Sequence, residues 1–97
     1  MNDQQLSQAF RALSDPNRLH IYRTVLASQD QGVAAPEGGC GIGDLMQKLK
    51  IGAPTVSHHV HALQNAGLIQ LERQGKFVRC YPNRAAARVL MAFFQLS

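Results

Sequence analysis

Apolar residues recur along this chain at two periods, and the change between them divides it into elements. Leu6, Ala9, Phe10 and Leu13 fall at helical spacing and predict a first amphipathic helix. In "SDPNR", Asp15 suits an N-cap and Pro16 suits the first helical position. A second helix is expected through "NRLHIYRTVLAS", with Leu19, Tyr22, Val25 and Leu26 as its apolar stripe. Residues 29–41, "QDQGVAAPEGGCG", are rich in glycine, include Pro36, and read as a loop. Helical spacing resumes in "IGDLMQKLK" at Ile42, Leu45, Met46 and Leu49. A short turn, "IGA", leads into a helix at 54–66, with Pro54 in its first turn and Gly67 as its C-cap. The period then drops to two. "LIQLERQ" and "FVRCYP" alternate residue types on either side of Gly75-Lys76 and predict a β-hairpin within 68–82. "NRAAARVLMAFFQLS" returns to helical spacing, with Asn83 as N-cap and a broad apolar face of Val89, Leu90, Phe93, Phe94 and Leu96. The expected order is α-α-α-α-β-β-α: mainly α with a β-hairpin, in a single domain spanning 1–97 without internal repeats.

The helix at 54–66 carries the densest candidate chemistry, "TVSHHVHAL", in which His58, His59 and His61 fall within four residues. A helix turns about 100° per residue. Val56, Val60 and Leu63 therefore share one narrow face that must pack on the core. His58, His61 and Asn65 lie roughly opposite, Thr55, Ser57 and Gln64 flank them, and His59 sits at the seam. The three imidazoles do not converge. A zinc site usually needs three or four ligands, and this helix offers no Cys, Asp or Glu. Catalysis would need a nucleophile or an orienting acid within reach, and the sequence nominates neither. No metal or other cofactor is expected. A face of Thr, Ser, His, Gln and Asn with little charge instead offers hydrogen bonds to base edges and phosphates. It follows a short helix and a tight turn, the arrangement in which a second helix enters the DNA major groove. The hairpin behind it carries a basic tip, "RQGK", suited to phosphates or a minor groove. The plain alternative is a polar, solvated face on a small helical domain.

Charge agrees with a polyanionic partner. The chain of 97 residues has 10 Lys and Arg against 6 acids, for a formal net charge of +4 and a pI near 9.6. No acid follows Glu72, whereas Arg73, Lys76, Arg79, Arg84 and Arg88 do. No apolar run approaches the roughly 20 residues that span a bilayer, and "MNDQQLSQAF" has no signal-peptide character. The chain is therefore expected in the cytoplasm. Cys40 and Cys80 form no CxxC pair and are expected as reduced thiols, Cys40 accessible in its loop and Cys80 facing the core.

Taken together, "FRALSDPNRLHIYRTVL", "TVSHHVHALQNAGLI" and "RQGKFVRCY" resemble, in this order and spacing, the ArsR/SmtB family of bacterial winged helix-turn-helix repressors. The resemblance covers essentially residues 6–94. It implies a homodimer built from the first and last helices, here through Leu6, Phe10, Leu13, Val89, Leu90, Phe93 and Phe94. It implies a palindromic operator of double-stranded DNA read by two symmetry-related helices. Carried over by position, Thr55, Ser57, His58, His61 and Gln64 would face the groove, with Ser57 near the helix N-terminus suited to phosphate. His59 would take a structural or phosphate role. Arg73, Lys76 and Arg79 would belong to the wing.

The chain also departs from the family. Where many members carry Cys-x-Cys-Asp at the start of the third helix, this one has Gly41, Gly43 and Asp44, with Cys40 one residue outside the motif. Residues 83–97 contain no Asp, Glu, His or Cys for a last-helix zinc site. Two other readings stay open: a thiol- or metal-responsive sensor acting through Cys40 and Cys80, and a winged-helix module that binds proteins.

Overall fold

The computed structural model describes residues 1–31, 40–75 and 77–95. Its elements, in chain order, are α1 (Asp3–Ala12), α2 (Pro16–Gln31), β1 (Cys40–Gly41), α3 (Ile42–Leu49), α4 (Ala53–Asn65), β2 (Ile69–Gln74), β3 (Phe77–Pro82) and α5 (Arg84–Phe93). This is a winged helix-turn-helix: α3 and α4 form the helix pair, and β2 and β3 the wing.

Side chains define the helix ends. Asn2 caps α1 in a capping box: its Oδ1 accepts from the Gln5 amide at 2.8 Å, and Gln5 Oε1 accepts from the Asn2 amide at 2.9 Å. Asp15 caps α2, accepting from the amides of Asn17 and Arg18 at 3.0 and 3.1 Å. The C-cap of α4 is Ala66, one residue before the expected Gly67. Gly67 instead takes a left-handed φ of +80° just beyond it, which lets its amide reach the Gln64 carbonyl and the Leu68 amide reach the Leu63 carbonyl. Asn83 then ties this end of α4 to α5. Its Nδ2 donates to the Gly67 carbonyl at 2.9 Å, while its Oδ1 accepts from the Ala86 amide at 3.2 Å.

The sheet has one strand more than the hairpin predicts. Its order is β1-β3-β2, antiparallel throughout, so β3 is central. β1 pairs Cys40 with Cys80 and Gly41 with Arg79. Two residues are too few to show an alternating pattern, so this strand is invisible to periodicity. The loop predicted for 29–41 is thus corrected at both ends, because α2 continues to Gln31 and β1 begins at Cys40. Residues 32–39 of that loop lie outside the described residues, as do Lys76 and Leu96.

The core gathers Ala9, Ile21, Tyr22, Val25, Leu45, Val56, Val60, Leu63, Leu68, Cys80 and Leu90, among others. The α2 stripe needs correcting in phase. Ile21 is fully buried while Leu19 is 41% exposed. Ile21 lies one turn before Val25 and shares its face, whereas Leu19 is rotated about 120° away from Val25. Cys40 is likewise corrected, from an accessible loop thiol to a buried one, because β1 presses it against β3.

Candidate nucleic-acid interface

The three valine and leucine anchors of α4 fix what the helix can present. Val56, Val60 and Leu63 are 0–1% exposed, so the opposite face must look outward. Thr55, His58, His61 and Gln64 are exposed and Ser57 is half-buried, as helical phase requires. His61 Nδ1 lies 3.3 Å from Gln64 Oε1, an i,i+3 contact that orients both side chains along the helix surface. The His58 and His59 ring centroids are 5.7 Å apart and inclined by 55°, a tilted pair within ring-contact range although the two residues lie on different parts of the helix surface. Among the described residues, no three His, Cys, Asp or Glu side chains come together as a metal site would need.

His59 occupies the seam. Its Nε2 lies 4.0 Å from Asp15 Oδ2, while its Nδ1 is buried without a protein hydrogen bond among the described residues. Asp15 thus serves two helices: its carboxylate caps α2 and faces a side chain of α4. The hydrogen bond from the Arg18 amide holds the Asp15 carboxyl below its usual range, and His59 adds to that effect. The sequence marks Asp15 as a cap, but helical phase on α4 cannot reveal a partner from another helix.

The wing completes a cleft. Register places Leu71 opposite Cys80 and Arg73 opposite Val78, so Arg73 shares the strand face of Leu71 and Val78. Glu72 and Arg79 are paired on the other face. A cleft of about 810 Å³ opens between the start of α3, the Ser57–His61–Gln64 stripe of α4, and the wing residues Leu71, Arg73, Val78 and Arg79. The polar face of α4 is therefore divided. Ser57, His61 and Gln64 line the cleft, whereas Thr55 and His58 open to solvent beside it. Gly41 and Gly43, which stand where the family motif has its cysteines, also line it, together with Asp44. Sequence spacing brings out the α4 residues and Arg73 separately. It misses their joint wall, because only strand register decides which face of the hairpin meets α4.

The apolar stripes of the two terminal helices meet as well. The Phe10 ring centroid lies 5.2 Å from that of Phe93 and 5.7 Å from that of Phe94, in tilted and edge arrangements. Leu6, Phe10 and Leu13 pack partly against the core, and Val89 is half-buried. Phe93 and Phe94 remain 58% and 67% exposed, and Met91, which the stripe omits, is 66% exposed. Leu90 differs from the rest: at 7% exposed, it belongs to the chain's own core.

A helix-turn-helix domain family matches residues 13–72. The transcriptional repressor SdpR of Bacillus subtilis is 29% identical over 73 residues, covering 75% of this chain and 70% of that one. Among solved structures, an ArsR family transcriptional regulator superposes with a TM-score of 0.72 at 25% identity, over 96% of this chain and 86% of its own. A homodimeric winged helix-turn-helix DNA-binding domain of Mycobacterium bovis also gives a TM-score of 0.72, at 18% identity, over 96% and 83% of the two chains.

Proposed function

The chain belongs to the ArsR/SmtB family of winged helix-turn-helix transcriptional regulators, and from that premise we propose that it is a homodimeric repressor reading a palindromic operator. The observation that carries this reading is the outward face of α4. It is polar, almost free of formal charge, and set beside a basic wing. Such a face exchanges hydrogen bonds with base edges, while flanking cations neutralise phosphate. In this reading Thr55, His58, His61 and Gln64 meet the groove floor, and Ser57 binds phosphate or base near the start of α4. Arg73, Lys76 and Arg79 hold the backbone from the wing. His59 positions the helix through Asp15 and makes no base contact.

The repressor SdpR supports the direction of regulation, and the homodimeric Mycobacterium bovis domain supports the assembly. The exposed Phe93 and Phe94 support it independently, since two adjacent phenylalanines on a terminal helix call for cover. No helix among the described residues is long and apolar enough to cross a membrane.

The test separates base reading from charge. In fluorescence anisotropy, Ser57→Ala with His58→Ala is expected to lower affinity for a selected operator about tenfold or more, from losing contacts worth roughly 1–3 kcal/mol each. Affinity for a random duplex of equal length should change less than about twofold, because nonspecific binding follows phosphate charge. Equal losses on both duplexes would remove α4 from base reading. No binding to any duplex at low salt would favour the protein-binding module.

A further inference from the structure

β1 touches the sheet at two residues, and both of its pairings involve side chains of consequence. Cys40 is the register partner of Cys80, and Gly41 is that of Arg79. Residues directly opposed on antiparallel strands project to the same face, with Cβ atoms about 4.5–5.5 Å apart. Their Cα atoms are about 4.5 or 5.5 Å apart, within the roughly 4.4–6.8 Å that disulfides span. Both cysteines are free thiols, at 4% and 0% exposure, so each has the other's strand and the core as its surroundings.

We propose that Cys40 and Cys80 form a thiol–disulfide site, oxidised by hydrogen peroxide, that ties the start of α3 to the central strand of the wing. The Cys40 sulfur attacks peroxide, the O–O bond breaks, and Cys40 sulfenic acid and one water result. The Cys80 sulfur then attacks the Cys40 sulfur. An S–S bond forms, the S–O bond breaks, and a second water leaves. Two thiols are oxidised to one disulfide while one peroxide is reduced to two waters.

Position sets the order of attack. Cys40 lies on the edge strand and keeps slight exposure, whereas Cys80 sits fully buried on the central one. Burial pushes both thiols up, Cys80 to about 12 with the neighbouring Cys40 contributing. Little thiolate is therefore present at neutral pH. The site answers a small oxidant in sustained excess and excludes bulky ones such as oxidised glutathione.

The bond also moves the cleft wall. A disulfide draws its Cβ atoms to about 3.8 Å, so β1 closes on β3 by on the order of 1 Å relative to an ordinary cross-strand pair. Gly41, the next residue, is the N-cap of α3, and Gly41, Asp44 and Arg79 line the cleft beside α4. Oxidation thus alters the spacing between helix pair and wing.

The experiment treats the full chain with millimolar peroxide under native conditions, followed by alkylation and non-reducing peptide mass spectrometry. The expected result is a Cys40–Cys80 peptide within one chain and a melting temperature raised by on the order of 10 °C. Dithiothreitol should reverse both. Operator affinity should fall at least tenfold in the same sample, and Cys40→Ser should abolish every change. Cys40→Ala on the edge strand serves if the serine variant unfolds. Oxidised but unlinked cysteines, linkage only between chains, or linkage with unchanged melting temperature would overturn the proposal. Linkage and melting are read without DNA, so they stand or fall apart from the operator reading.

Discussion

Phe93→Glu is expected to give a folded monomer that binds the selected operator at least a hundredfold more weakly than the wild type. Phe93 and Phe94 are more than half exposed, yet their rings already engage Phe10 at 5.2 and 5.7 Å. The α1–α5 face is thus ordered within one chain and left exposed. Full burial of one phenylalanine side chain is worth roughly 1.5–3 kcal/mol, and a two-fold interface would bury it twice. A glutamate at that position places a charge from each subunit in the interface, where desolvation opposes association. The loss on DNA is larger than the loss of contacts. Joining two reading heads raises avidity about 10²–10⁴-fold over one, and a monomer forfeits that factor. Sedimentation velocity and anisotropy check the two halves separately. A dimer that persists in Phe93→Glu would move the interface to another face of the molecule.

Leu63→Ala is expected to lower unfolding stability by about 3 kcal/mol, within the roughly 2–5 kcal/mol typical of a buried leucine. Its neighbour Gln64→Ala should cost no more than about 0.5 kcal/mol. Leu63 is 0% exposed and its carbonyl accepts from the Leu68 amide, so it anchors both the core face and the exit of α4. Gln64 is exposed, with its side chain near His61. Against a total of about 5–15 kcal/mol for a domain, the leucine variant approaches the limit of folding. Urea denaturation of the two variants measures the difference. Comparable losses at both positions would mean that α4 is seated in another phase, and the assignment of its outward face would fall with it.

These two predictions rest on features of different legibility. Helical phase in the sequence places Val56, Val60 and Leu63 inward and His58 and His61 outward, because a single helix with three β-branched or leucine anchors has one way to sit. The same reasoning fails on α2, where apolar residues surround more of the helix. Leu19 satisfies the spacing approximately, but Ile21 fills the core. Local pattern could not expose β1 or the burial of Cys40, since a two-residue strand exists only through its partner. The contact of His59 with Asp15 and the cleft shared by α4 and the wing have the same origin. Each joins segments far apart in the chain, and the joining is decided by packing and register. The open face carrying Phe93 and Phe94 is legible in outline, but Leu90 turns from it to the core, and Met91 is exposed as well.

Selection of bound duplexes from a random double-stranded library decides whether the α4 face reads an operator. A homodimeric reader is expected to enrich an inverted repeat whose half-sites lie about one helical turn or more apart. Affinity for it should fall steeply with salt, and Ser57→Ala with His58→Ala should relax base preference at defined positions in each half-site. Enrichment of no sequence over the starting library, with binding that depends on charge alone, would contradict it.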